Sequence, residues 1–497
     1  MTMMESGPLE TGALEYNYEA LRCRDAIVDA MREAAPPHQD RLDLQTYRHL
    51  QVLTDQLARV EGEPAAAEYD RYKQTADRGL ELSRDRVYEQ FHDKTILVTG
   101  GTGLIGSTLM REVAQYGPAR LVSFSRGIIA PHRPSPVAEY RFGDIRDTEH
   151  VAHIMQAVKP DIVMHVAADK YNHLAEGRAR HTLTTNIEGT QNIIEAAEAA
   201  GVARFIYAST GKASRPFSPD IYASSKKAGE WLVSEAALRG TMICSAGRFT
   251  HVADSSYLLK KLDGFVQAGE PVEIHNPDSW FYVQSALESA HLLLNSTLDA
   301  EPGLLKIHAI RNLGMPINLL ELGLGAIVRA GLPAAMYIKG VEAGYEEKTW
   351  PGLYHHATAG DVSPLISALE SDETVESASC EQVDVFPMVS DVSNTLAASF
   401  ADLRRALKAE GQTGLRALNQ DFSWNMLKAR LEALPTATLR RTTKHIACFT
   451  KNAEPYAEHD QLNAVIIEAH EQRLATAATA IGGVEMILAR RLPVVNA

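Results

Sequence analysis

Apolar positions along the chain change their period twice. Up to residue 93 they recur every three or four places, over Tyr16–Arg32, Leu42–Val60 and Ala65–Phe91, with breaks at Pro36–Pro37 and 62–64. That spacing predicts a helical N-terminal segment over 1–93. From Lys94 short apolar or β-branched runs take over: Ile96–Thr99, Leu121–Phe124, Tyr140–Phe142, Ile162–Val166 and Phe205–Ser209. Helical spacings separate them, as at Leu104, Ile105, Leu109, Val113 and Ala114, or over Thr185–Ala200. Runs buried on both faces and joined by helices predict an α/β fold, a doubly wound parallel sheet over 94–250. A smaller lobe, interleaved with the last strands, is expected over 251–360. The remainder, 361–497, reads as mostly helical. Ala397–Glu410, Phe422–Leu434 and 458–491 carry the helical period, Val383–Ser390 reads as an added strand, and the acidic stretch Glu370–Glu381 as a linker or exposed loop.

The join between the first strand and its helix is GGTGLIG, Gly100 to Gly106. A turn this tight needs a residue free to take positive φ, and a pyrophosphate approaches closely only where no Cβ intrudes. The helix start adds unpaired N–H groups and a positive dipole end. Strand, glycine turn and helix together predict a dinucleotide site formed by Gly100, Thr102, Gly103, Leu104, Ile105 and Gly106. The second strand ends in Ser125–Arg126. An acidic residue here binds the ribose of NAD, whereas an arginine accommodates a 2′-phosphate, so NADP is expected over NAD. Asp144 and Ile145 after the third strand, and Ala167 and Ala168 after the fourth, complete the expected cofactor rim.

The fifth strand runs into Ser209-Thr210-Gly211-Lys212, and ten residues on come Tyr222-Ala223-Ser224-Ser225-Lys226. Residues four apart on a helix share a face. An ammonium at Lys226 can draw the Tyr222 phenol down from about 10 towards neutrality, fitting it for acid–base work. Lys226 can also hold the nicotinamide ribose.

Composition narrows the setting. Of 497 residues, 49 are basic and 63 acidic, a net charge of −14, which argues against a general nucleic-acid or anionic-membrane surface. The four cysteines form no CxxC pair and read as reduced thiols. No apolar run approaches the roughly 20 residues that span a bilayer, and MTMMESGPLETG lacks the basic and apolar parts of a signal peptide. A soluble cytoplasmic protein is expected. His445, Cys448, His459 and His470 match no zinc spacing, so no metal is expected.

Over about 94–355 the chain resembles an extended short-chain dehydrogenase/reductase of the CapD-like polysaccharide-biosynthesis branch, which includes the UDP-N-acetylglucosamine 4,6-dehydratases. The resemblance is carried by VTGGTGLIG, SR, GDIRD, HVAADKYNHLAE, TNIEGTQNIIEAA and GVARFIYASTGKASRP…YASSKKAGEWL, and further on by AGRFTHVADSS and GMPINLLELGLGAIVRAG. It implies an internal redox cycle: a sugar hydroxyl is oxidised by NADP+ while Tyr222 takes its proton, and the resulting ketone acidifies the neighbouring C–H for elimination or epimerisation. Thr210, or Ser209, would orient the substrate oxygen, Lys226 tune Tyr222, Asn186 brace the catalytic helix and Lys212 act as carbon base. Lys170 matches a position on the cofactor and substrate side, as Glu176 does on the substrate side. The branch often oligomerises, so a homo-oligomer is expected, with a UDP-sugar as possible substrate.

Departures from the family pattern open other readings. The dehydratases carry an aspartate where this chain has Gly211, so elimination lacks its usual acid unless His173, Asp169 or Glu176 supplies one. His173 replaces a proline and Tyr171 a histidine. An asparagine is lost at His251, one arginine at Ser279-Trp280-Phe281, and another in the stretch containing Tyr345. Two lost charge-assisted bonds of about 1.5–3 kcal/mol each weaken a diphosphate clamp. Trp280 and Tyr345 suit a ring-bearing or apolar group instead. A plain NADP(H) oxidoreductase acting on another alcohol or ketone is therefore the alternative, and an inactive cofactor-binding regulatory protein a third.

Overall fold

The computed structural model describes residues 23–170, 172–255, 257–341, 362–388, 394–409, 413–450 and 464–475. Two compact units divide the chain. One gathers Met1–Asp70, Leu259–Asp278 and Asn318–Gly340; the other gathers Arg71–Leu258, Ser279–Ile317 and Val341–Ala497.

The second unit is built on one nine-stranded sheet. Its strands are β1 (Thr95–Thr99), β2 (Arg120–Ser125), β3 (Ala138–Phe142), β4 (Ile162–His165), β5 (Arg204–Thr210), β6 (Ile243–Phe249), β7 (Leu305–Ile310), β8 (Val375–Glu376) and β9 (Val383–Met388). The order is β8-β9-β7-β6-β5-β4-β1-β2-β3. From β3 to β7 every neighbouring pair is parallel. The order reverses between β1 and β4, which opens a crevice beyond their carboxyl ends. This is the doubly wound sheet expected from the runs of apolar residues. Its helices include α1 (Leu104–Ala114), α2 (Thr148–Val158), α3 (Gly189–Ala200), α4 (Ile221–Arg239), α5 (Ala286–Leu298), α6 (Asn394–Lys408) and α7 (Leu415–Ala433). Ile96, Leu97, Val98, Val163, Met164, Phe205 and Tyr207 are fully or nearly fully buried, because both faces of the central strands are covered.

The C-terminal part adds to this sheet rather than standing apart. β9 pairs antiparallel with β7, and β8 with β9. The stretch Glu370–Glu381 is thus no exposed linker: Glu370 is buried, Ser371–Glu373 makes a 3₁₀ turn and β8 follows. Its charge misled because Glu370 finds a buried guanidinium as partner.

In the first unit, helix Arg24–Ala34 accompanies residues 44–70 of a helix spanning Leu44–Thr75, the helix Leu319–Ala330, and the parallel strands Val272–Ile274 and Met336–Ile338. The expected break at 62–64 does not occur; Pro64 lies inside the long helix. One ladder bond is lost there, but Leu50, Leu53, Leu57, Ala65, Ala66 and Tyr69 form a continuous buried stripe that carries the helix through. Its real end is Thr75, and a separate helix, Arg84–Phe91, follows.

Candidate functional site

The glycine turn sits where β1 meets α1. Gly100 has φ +73°, and a Cβ on it would lie 2.8 Å from the Ala167 nitrogen, so the loop after β4 closes directly on the turn. A Cβ on Gly106 would stand 2.3 Å from the Gly100 carbonyl oxygen. Both positions require glycine, and both press α1 against the turn. Gly103 caps α1 with extended backbone, its N–H bonded to Gly100 O at 2.9 Å. Thr102 and Leu104 are buried and Ile105 half-buried. The cradle a Cβ would fill, and the helix N-terminus behind it, fit a dinucleotide pyrophosphate.

The rim runs along β2, β3 and β4. The Ser125 hydroxyl, at the end of β2, is buried and has no hydrogen-bond partner among the described residues, and Arg126 beside it is exposed. The Gly143 N–H bonds Ser125 O at 2.9 Å, which brings Asp144 alongside. Burial pushes the Asp144 carboxyl up, but bonds from Arg146, the shortest 2.6 Å, outweigh it and hold the carboxyl below its usual value. Ile145 is buried, and its carbonyl accepts from Asn192 at 3.0 Å. Ala167 and Ala168 are half-buried on the loop after β4, and Lys170 is exposed at its end.

A polar thread crosses the sheet beneath the turn. His165 lies 2.7 Å from Thr99 Oγ1 and 3.0 Å from Thr190 Oγ1, and its ring stacks on Tyr207 at 5.8 Å. Burial lowers this imidazole to about 3, so it is neutral. Lys226 lies over the other partner of the stack: its ammonium is 4.0 Å from the Tyr207 ring centroid and donates to Ala208 O at 2.6 Å. Lys226 is therefore aimed at the carboxyl end of β5, on the sheet edge that carries the glycine turn. Burial lowers it to about 7, partly countered by the Glu230 carboxylate.

Helix α4 holds both Tyr222 and Lys226, and its start is fixed from two sides. Asp220 caps it, accepting from Ala223 N at 2.6 Å, and Glu176 Oε1 accepts from Ile221 N at 2.8 Å. The other Glu176 oxygen pairs with Arg416 of α7, so both oxygens are occupied by the protein. Tyr222, in the first turn, is half-buried.

Asn186 lies in a single π-helical turn, Thr184–Glu188, ahead of α3. Its Oδ1 accepts from Asp169 N at 2.7 Å, and its Nδ2 donates to Asp169 O at 3.1 Å and to Ser225 Oγ at 2.9 Å. One buried amide thus ties the loop after β4 to helix α4 between Tyr222 and Lys226. The π turn provides the extra residue that aims it.

At the end of β5, Ser209 and Thr210 separate in role. The Ser209 hydroxyl donates to Glu230 at 2.6 Å, which points into the protein. Among the described residues the Thr210 hydroxyl makes long contacts, 3.4 Å to Phe249 O and 3.4 Å from Lys212 N. Lys212 is half-buried in the 3₁₀ turn Gly211–Ser214. A Cβ on Gly211 would come 2.5 Å from Leu365 Cδ2, so that side chain fills the space a residue-211 side chain would need.

Of the expected substrate residues, His251 is exposed, with its ring 4.8 Å from that of Phe281. Strand His251–Val252 pairs with Val283–Gln284, and Thr250 Oγ1 donates to Tyr282 O at 2.8 Å, which brings the Trp280 segment alongside. Trp280 is 37% exposed. Tyr345 and Tyr171 lie outside the described residues, as do His459 and the side chains of His173, His445 and Cys448. Sequence reasoning passed over His165, Glu230, Arg248 and Glu370. A histidine closing a buried apolar strand, and a glutamate four residues after Lys226, were the available signals.

A family model described as polysaccharide biosynthesis protein matches residues 96–332. An uncharacterised membrane protein of Methanocaldococcus jannaschii is 31% identical over 233 residues, 44% of this chain and 69% of that protein. An inverting UDP-N-acetylglucosamine 4,6-dehydratase of Campylobacter jejuni is 35% identical over 148 residues, 29% of this chain and 43% of the enzyme. The X-ray structure of Pen from Bacillus thuringiensis shares the fold, at a TM-score of 0.51 and 23% identity, over 61% of this chain and 89% of that one. Sheet order, glycine turn and these matches define an extended short-chain dehydrogenase/reductase. Within that class the chain belongs to the polysaccharide-biosynthesis family. It spans less than half the length of the curated relatives it matches first, 43% of each. No helix among the described residues is long and apolar enough to cross a membrane, and no group of three or more His, Cys, Asp or Glu among them could hold a metal.

Proposed function

We propose that the chain is a nicotinamide-dinucleotide-dependent enzyme that oxidises a hydroxyl of a nucleotide-linked sugar, with Tyr222 as the acid–base group. The observation that carries this reading is the bridge from Asn186 to Ser225, because it fixes the Tyr222–Lys226 helix against the loop closing the glycine turn. Bound on that turn, the dinucleotide supplies the hydride acceptor. Gly100 and Gly106 leave its phosphates room, and Ala167 lies against the turn. Thr210 holds the substrate oxygen, since its hydroxyl is the more weakly held of the Ser209–Thr210 pair, at 3.4 Å from Phe249 O against 2.6 Å from Ser209 to Glu230. Tyr222 takes the hydroxyl proton, and the Lys226 ammonium stabilises the phenolate one helical turn away. Likeness to a UDP-N-acetylglucosamine 4,6-dehydratase supports a UDP-sugar substrate.

Arg126, the adjacent unpartnered Ser125 hydroxyl and Arg146 favour NADP over NAD. Asp144 and Ile145 form the adenine side of the same rim. Lys170, His173, His251, Trp280 and Tyr345 are assigned to the substrate side, and Glu176 to holding the start of α4.

A second reading rests on Leu365. With an apolar side chain packed at Gly211, no proton donor stands between Thr210 and Lys212. This favours oxidation followed by reduction or epimerisation at carbon, with Lys212 as carbon base, over loss of a hydroxyl. Incubating the protein with NADP+ and UDP-N-acetylglucosamine in deuterated water tests both. Deuterium at C5 without loss of the C6 oxygen fits the second reading; a 4-keto-6-deoxy product means that a hydroxyl is lost and overturns it. Failure to bind dinucleotide or sugar removes both.

A further inference from the structure

Behind the Ser209–Lys212 turn lies a buried chain of charges whose last member comes from beyond the family-matched stretch. Arg248, on β6, is 1% exposed. One side of its guanidinium meets Glu230 of α4, through Nε at 2.8 Å and Nη2 at 2.9 Å. The other side meets Glu370, through Nη1 at 2.7 Å and Nη2 at 2.8 Å. The fifth donor position is used as well, Nη1 donating to Leu365 O at 3.1 Å. Glu230 in turn accepts from the Ser209 hydroxyl, and Glu370 accepts from Ser367 N at 2.9 Å. Every link joins the strand end that carries Thr210 to the segment 363–370.

A buried cation held by two carboxylates is costly to assemble, because each group must leave water. Spread over an enzyme surface, such a network would add little. Here its geometry has a specific consequence. Arg248 precedes Phe249, whose carbonyl receives the Thr210 hydroxyl, and Glu230 holds Ser209 just before Thr210. The same guanidinium fixes the backbone of Leu365, whose side chain fills the space at Gly211. A second anchor, Ser363 N to Asp384 at 2.7 Å, pins the far end of the segment to β9.

We propose that Glu370 is a positioning residue of the site: by clamping Arg248 against Glu230 it sets the Ser209–Lys212 turn and seats Leu365 at its wall. This rests on the reading of Thr210, Lys212 and Tyr222 given above. It makes the C-terminal segment a working part of an enzyme whose family core, residues 96–332, lacks it. Removal of the Glu370 charge leaves Arg248 paired with Glu230 and the Leu365 carbonyl only, free to turn with Leu365 and to release the turn.

The test compares wild type with Glu370→Gln by amide hydrogen exchange, NADP+ titration and steady-state kinetics on UDP-N-acetylglucosamine. Expected is an exchange rate about tenfold higher over 209–214 with β1 and β2 still protected. NADP+ affinity stays within about twofold, and kcat falls about tenfold while KM holds. Glu370→Asp, which keeps the charge, falls between the two, and it replaces the glutamine variant if that one does not fold. Unchanged exchange over 209–214, or protection lost evenly across the sheet, overturns the proposal. Wild-type protein that binds no dinucleotide contradicts the enzymatic reading instead, and the exchange pattern then decides the positioning claim alone.

Discussion

Leu365 Cδ2 stands 2.5 Å from where a β-carbon on residue 211 would be. Two residues more than 150 positions apart thus share one small volume at the edge of the site, and each accounts for the other. Gly211→Ala forces the clash and is expected to cost about 1–3 kcal/mol of stability, read as a lower urea midpoint. Leu365→Ala opens the space, so the double variant should lose less than the sum of the singles. Strict additivity of the two would show that the contact is not made.

Asn186→Ala removes three hydrogen bonds, two of them to the backbone of the buried Asp169. The expected loss is about 1–3 kcal/mol of stability. Turnover should fall more steeply than NADP+ affinity, because the amide bonds the Tyr222–Lys226 helix directly and reaches the glycine turn only through the loop after β4. Parallel losses in a titration and a rate assay would count against that role.

Burial lowers Lys226 to about 7 and Lys227 to about 8. In the unfolded chain both titrate near 10.4. Between about pH 7 and 10 the unfolded chain therefore binds more protons, and stability rises with pH over that window. Below it both states are protonated and the penalty of burying the charges is fully present. Lys226→Met removes one of the two contributions, so the rise in urea midpoint from pH 7 to 10 should flatten. An unchanged slope would mean that Lys226 is not buried as described.

Arg126→Ala tests the choice of cofactor. Its expected effect is a lower NADP+ affinity with NAD+ binding little altered, measured by calorimetric titration of each. Equal losses for both dinucleotides would place the arginine away from the 2′-position.

Much of this was legible in the chain itself. The parallel sheet announced itself in runs such as Ile96–Thr99 and Ile162–Val166, because strands covered on both faces must be apolar throughout. The glycine turn and the helix that carries both Tyr222 and Lys226 were equally plain, since each depends on local spacing. What depended on distant partners was not. Pro64 reads as a helix break until the buried stripe on either side is seen to carry the helix through. Glu370 reads as part of a solvated acidic stretch because its partner, Arg248, lies 122 residues away. Gly211 reads as a missing acid, and only the packing of Leu365 shows what took the space. Glu176 reads as a substrate group, whereas its carboxylate meets Ile221 N and Arg416.

The central claim is that Tyr222, primed by Lys226, removes a substrate proton while hydride leaves for a dinucleotide held on the Gly100–Gly106 turn. Its most direct test is absorbance at 340 nm when protein carrying NADP+ is mixed with excess UDP-N-acetylglucosamine, for wild type and Tyr222→Phe. The account predicts reduced cofactor in the wild type, at least transiently, and formation slower by about 10²–10⁴-fold in the phenylalanine variant with NADP+ still bound. Equal reduction in both proteins, or none in a wild type that holds both ligands, would contradict it.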